Sequence, residues 1–186
     1  MSDDARIEVL GLSGSLRKHS FNTAILRAAA ELAPKEMRIR VRTLEDIPVY
    51  NEDLRAEGYP EPVLALREEI AGADAVLIAT PEYNYSIPGV LKNAIDWASR
   101  PPDQPFEGKP VALMGASPGR IGTARAQYHL RQCFVFLDSR VMNRPEVMVS
   151  GANKLIDENG RLADDATRQH IEGMLEAFAV WCRKMR

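Results

Sequence analysis

Ala75-Val76-Leu77-Ile78-Ala79 is an unbroken apolar run that ends abruptly at Thr80-Pro81. A strand with helices packed on both of its faces reads this way, so the run predicts a central strand of a parallel sheet. Pro110 to Ala116 reads as a second buried strand, and Ile7-Glu8-Val9-Leu10-Gly11-Leu12 as a third, mostly apolar one. Met37, Ile39 and Val41 alternate with Arg38, Arg40 and Arg42. That period of two predicts a strand with one wet face, and its charge suits an edge, where it discourages association. Val147-Met148-Val149 supplies a short last strand.

Helical patterns fill the intervals. Phe21, Ala24, Ile25, Ala28, Ala29 and Leu32 share a stripe, with Ser20 as N-cap and Pro34 marking the end. Val63, Leu66 and Ile70 mark a second helix. Leu91, Ala94, Ile95 and Ala98 mark a third, with Pro88 in its first turn. Residues 127–138 read as a fourth, and Ile171, Met174, Leu175, Phe178 and Cys182 stripe the last. Strand and helix alternate throughout, which predicts an α/β doubly wound, five-stranded parallel sheet with helices on both faces. The flavodoxin-like order 2-1-3-4-5 fits, because it places the charged second strand at an edge.

With 186 residues and 45% hydrophobic composition, the chain suits one domain spanning 1–186; domains run about 100–200 residues. No apolar run nears the roughly 20 residues of a spanning helix. The acidic start Met1-Ser2-Asp3-Asp4 has no secretory character, so a cytoplasmic location is expected. A net charge of −2 gives no reason to expect nucleic acid or a membrane as partner. The two cysteines, Cys133 and Cys182, have no metal-ligand spacing and read as buried, inert thiols.

Ligands in such sheets bind beyond the carboxyl ends of the strands, where the strand order reverses. Three loops of unusual composition lie there. The first, Ser13-Gly14-Ser15-Leu16-Arg17-Lys18-His19-Ser20-Phe21-Asn22-Thr23, joins strand to helix start. Unpaired N–H groups, several short hydroxyl and amide side chains, and Arg17 all favour phosphate. Neither a dinucleotide nor a P-loop glycine spacing is present. Read blandly, this is a capped helix start with a solvated basic pair.

The second loop, Thr80-Pro81-Glu82-Tyr83-Asn84-Tyr85-Ser86-Ile87-Pro88-Gly89, offers a stiff, aromatic wall for a flat heteroaromatic ring. Its bland reading is a proline-rich turn. The third, Ser117-Pro118-Gly119-Arg120-Ile121-Gly122-Thr123, has two glycines that would let backbone approach a ligand, although many strand-to-helix turns use Gly and Ser.

Gly14-Ser15-Leu16-Arg17-Lys18-His19-Ser20-Phe21-Asn22 resembles the phosphate loop of the NADPH-dependent FMN reductases. Residues 80–97, through Lys92-Asn93-Ala94-Ile95-Asp96-Trp97, resemble their second flavin loop. The likeness covers nearly the whole chain, is less distinctive over residues 150–165, and is greatest to the bacterial quinone and chromate reductases, which overlap in activity with azoreductases. It implies FMN phosphate contacts at Ser15, the Leu16 N–H, Arg17, Ser20 and Asn22. It implies isoalloxazine contacts at Pro81, Glu82, Tyr83, Asn84, Ser117 and Gly119. It also implies NADPH or NADH as hydride donor, a small acceptor such as a quinone, and a homodimer or homotetramer.

Hydride chemistry belongs to the flavin, so no catalytic acid or base and no metal ligand is expected. His19, His129 and His170 read as ordinary surface or capping histidines, and Glu82 as acting through its backbone. Arg125 and Tyr128, in an Arg-, aromatic- and amide-rich helix, read as a subunit contact with Glu146 as partner; the alternative is a solvated helix face. Two rival readings remain. A flavodoxin-type electron carrier would tend to be strongly acidic. A cofactor-free receiver-like module would need acidic residues where Leu12-Ser13-Gly14 and Thr80-Pro81 stand.

Overall fold

The computed structural model describes residues 6–185. The apolar run at 75–79 is β3 (Ala75–Ala79), buried at every position. It lies between β1 (Ile7–Ser13) and β4 (Pro110–Ala116), all parallel. β2 (Met37–Arg42) pairs only with β1, which puts it at the edge as its alternation requires. The sheet order is β2-β1-β3-β4-β5, with β6 also pairing β4.

Two features depart from the sequence reading. The expected last strand is present as β6 (Val147–Val149), pairing the end of β4, but an unexpected short strand, β5 (Arg140–Val141), pairs the start of β4. Pro145, which has no N–H to donate, lies in the gap between them. The charged face of β2 is not simply wet, because Glu69 of α3 (Glu61–Gly72) accepts from both Arg40 at 2.7 Å and Arg42 at 3.0 Å.

Successive β3 side chains divide between two cores. Ala75, Leu77 and Ala79 pack with α1 (Phe21–Leu32) and the C-terminal helix, while Val76 and Ile78 face the other layer. That second layer holds α3, α4 (Gly89–Ala98) and α5 (Ala124–Phe136). Short helices α2 (Glu52–Ala56) and α6 (Ala152–Leu155) sit in connections, and α7 (Asp165–Met185) closes the chain. Ser20 caps α1 as expected, its Oγ accepting from the Thr23 N–H at 3.2 Å. Pro88 is the N-cap of α4 rather than a first-turn residue. Cys182 is buried, but Cys133 is only partly so; neither is in a disulfide, and burial raises the Cys133 thiol pKa. No described helix is long and apolar enough to cross a membrane.

The second half of the 80–97 motif is structural. Asn93 and the Trp97 indole N–H both donate to the Pro48 carbonyl, at 2.8 and 2.9 Å, and Asn93 also accepts from the Tyr50 N–H. These bonds fix the loop after β2 against α4.

Candidate functional site

The loops after β1, β3 and β4 converge at one end of the sheet around a cavity of about 250 Å³. Ser15, Arg17, Ser20, Asn22, Pro81, Glu82, Tyr83 and Ser117 all line it. Leu16 lines an adjoining cleft of about 380 Å³ that shares Ser15, Arg17 and Tyr83. Asn84 and Gly119 line neither. Gly14 lets the first two loops meet, since a Cβ there would stand 3.2 Å from Pro81 and 3.1 Å from Leu91.

At one end of the cavity the donor set suits a phosphate. The first four N–H groups of a helix have no intrahelical partner. In α1, Ser20 Oγ takes that of Thr23, and the first regular helical bond runs from the Ala24 N–H to the Ser20 carbonyl. The Phe21 and Asn22 N–H groups are left without a partner among the described residues, and the first turn of α1 holds no acid. Arg17, exposed, lies over the Phe21 ring at 5.3 Å and has no carboxylate partner among the described residues. The hydroxyls of Ser15 and Ser20 complete the set. Ser13 and Thr23 do not contribute, because their buried hydroxyls bond each other at 2.8 Å.

Three predicted side chains are engaged by the chain itself. Asn22, 3% exposed, holds the backbone of Ala116 with both ends of its carboxamide. Ser117 Oγ donates to the Gly122 carbonyl at 2.7 Å and accepts from the Gly119 N–H at 3.1 Å, while the Ser117 N–H donates to Val149. Glu82 accepts from the Arg125 and Ala126 N–H groups and from the Arg125 side chain. What these residues offer a ligand is therefore shape and main chain. The glycines of the third loop also differ from expectation. Gly122, at φ +59°, is required because a Cβ would sit 2.8 Å from Met148 of β6, an approach within the chain rather than to a ligand.

The loop at 80–88 turns tightly. Tyr83 and Ser86 exchange both backbone hydrogen bonds, at 3.2 and 2.9 Å, across Asn84 (φ +48°) and Tyr85 (φ +67°). Positive φ at both central residues is the geometry of a type I′ turn, ordinarily made with Asn and Gly. A tyrosine there is strained backbone of the kind found at functional sites.

His129 bonds Ser86 at 3.0 Å and His170 bonds the Glu146 carbonyl at 2.8 Å. Tyr128 donates to Glu146 at 3.1 Å, so this pair forms within one chain, and Arg125 is paired to Glu82. Among the described residues no His, Cys, Asp and Glu group is arranged to hold a metal. Sequence reading missed Gly115: a Cβ there would lie 1.8 Å from Thr123 Oγ1 and 2.5 Å from the Thr80 carbonyl. Its only signal is a glycine inside an otherwise buried strand.

The family profile described as NADPH-dependent FMN reductase matches residues 7–154. An NAD(P)H-dependent FMN reductase of Pseudomonas aeruginosa is 58% identical over 186 residues, covering all of both chains. A quinone reductase of Escherichia coli K12 is 48% identical over 97% of this chain and 98% of its own. Among solved structures, FerB, a flavoenzyme NAD(P)H:(acceptor) oxidoreductase of Paracoccus denitrificans, superposes with a TM-score of 0.87 at 39% identity, covering 96% of this chain and 98% of that one.

Proposed function

The chain belongs to the NADPH-dependent FMN reductase family, and from that premise we propose that it oxidises NAD(P)H through FMN and reduces a quinone. The carrying observation is the cavity itself, lined by the hydroxyl-bearing Ser15 and Ser20, by Arg17 and by Tyr83, with α1 N–H groups that have no partner among the described residues.

FMN, when bound, supplies the redox chemistry, accepting a hydride from reduced nicotinamide and passing two electrons to the acceptor. The chain's own work is placement. Ser15, Ser20, Arg17 and the Phe21 and Asn22 N–H groups would hold the phosphate, while residues 81–83 and 117–118, which line the cavity, would bound the ring. Glu82, the one carboxylate lining the cavity, is paired with Arg125, so no side chain is assigned as acid or base. Protons for the hydroquinone product come from water through the open mouth.

A quinone, a flat organic acceptor, is favoured over the chromate anion by the apolar and aromatic wall of Leu16, Tyr83, Pro88 and Val90 in the adjoining cleft. A cytoplasmic setting, where reduced nicotinamide is made, fits the same reading. We further expect a homodimer or homotetramer, supported by Val135 and Phe136 of α5, 79% and 86% exposed. Steady-state NADPH oxidation by the purified protein, with 1,4-naphthoquinone, chromate and free FMN as acceptors, tests the assignment. The quinone should give the highest kcat/KM; a higher value with free FMN or chromate would overturn the acceptor class.

A further inference from the structure

We propose that Glu82 is a positioning residue: its carboxylate latches loop 80–88 onto the N-terminus of α5 and so sets the backbone that faces the flavin ring. The inference rests on the reading of that loop as part of an FMN site.

Glu82 is an acid with a side chain only 7% exposed, and a carboxylate is costly to bury unless it is paired and hydrogen-bonded. Its partners all lie on α5. One oxygen accepts from the Arg125 N–H at 3.0 Å and the Ala126 N–H at 3.1 Å; the other accepts from the Arg125 guanidinium at 2.6 Å. α5 lacks what most helices carry at this end. Its N-cap, Thr123, makes no capping bond, and its first turn holds no acid. Glu82 supplies both the acceptor and the negative charge from a residue more than forty positions upstream.

The latch reaches the strained turn. The guanidinium that pairs with Glu82 lies over the Tyr85 ring, 3.3 Å from its centroid, and Tyr85 is the residue at φ +67°. Next along, Ser86 bonds His129 at 3.0 Å. Residues 82, 85 and 86 are thus tied to 125, 126 and 129, and positions 125 and 129 are neighbours on one helix face. A plain helix cap needs only the first of these ties. All three together hold two positive-φ residues in a conformation the chain would otherwise relax.

The test uses full-length protein with Glu82→Ala, Glu82→Gln and Arg125→Ala. Amide hydrogen exchange is read at Ser86, whose N–H closes the turn, and at Leu77 in β3; FMN affinity is read by fluorescence quenching. In Glu82→Ala, Ser86 exchange should rise at least tenfold and the FMN dissociation constant at least tenfold, with Leu77 unchanged. Glu82→Gln keeps an acceptor for the N–H groups and should restore part of both. Arg125→Ala leaves the two main-chain bonds and should shift both less. Equal acceleration at Ser86 and Leu77 would mean a general loss of stability and overturn the proposal, as would wild-type values at both readouts. If the wild type binds no FMN while Glu82→Ala still frees Ser86, the flavin reading fails and the latch stands.

Discussion

The carboxamide of Asn22 clasps the backbone of Ala116: Nδ2 donates to its carbonyl and Oδ1 accepts from its N–H, each at 2.9 Å. Ala116 ends β4, and Thr80, just past β3, already donates to Met114 two residues earlier. The side chain therefore continues the ladder where β3 runs out, and it fixes the start of α1 against the third loop. Two of the loops that line the cavity are joined through this residue.

Asn22→Ala leaves two buried main-chain groups without partners. Stability should fall by about 2–3 kcal/mol, the cost of an unmet buried hydrogen-bonding group, and FMN should bind more weakly. Urea unfolding with an unchanged denaturant slope checks the first effect, and fluorescence titration the second.

Arg17→Ala removes an exposed cation that lies over the Phe21 ring and has no carboxylate partner among the described residues. FMN affinity should drop by about 1.5–3 kcal/mol, roughly ten- to a hundredfold, with the unfolding midpoint unmoved. An unchanged FMN dissociation constant would remove Arg17 from the phosphate site.

Gly115→Ala sets a methyl 1.8 Å from Thr123 Oγ1 and 2.5 Å from the Thr80 carbonyl. Overpacking of this kind costs about 1–3 kcal/mol. Adding Thr123→Ala should recover only part of it, because the Thr80 carbonyl is main chain; thermal denaturation of the single and double variants measures the difference.

Asp164 starts α7. Its carboxylate accepts from the Thr167 hydroxyl at 2.6 Å and the Thr167 N–H at 2.8 Å, and these bonds hold its pKa below the ordinary 3.8. The folded pKa is the lower one, so the contribution is complete above the unfolded value and is lost as pH falls through the folded value. Asp164→Asn should flatten the stability curve below about pH 4, as read by urea midpoints across an acid pH series.

Much of the fold was legible because it rests on local pattern. The unbroken run of β3, the arginine alternation of β2 and the Ser20 cap each state their environment within a few residues. The short strand β5 was not, since two residues such as Arg140-Val141 carry no period. At the candidate site, composition pointed to the three loops that line one cavity but not to the partners of each side chain. The Asn22 side chain reads as a phosphate donor until Ala116, 94 residues away, is beside it. Glu82 reads as main chain only until the uncapped end of α5 is seen to need it. Gly115 is hidden because its reason, Thr123, is brought over it by a turn.

The proposed function turns on FMN that the chain binds and cycles between nicotinamide and quinone. The most direct test is the visible spectrum of the purified protein without oxygen, recorded before and after NADPH or NADH and then after a benzoquinone. A yellow protein that bleaches with the nicotinamide and regains its colour with the quinone is the expected result. A protein that neither carries nor takes up FMN, or whose flavin stays oxidised with both nicotinamides, would contradict it.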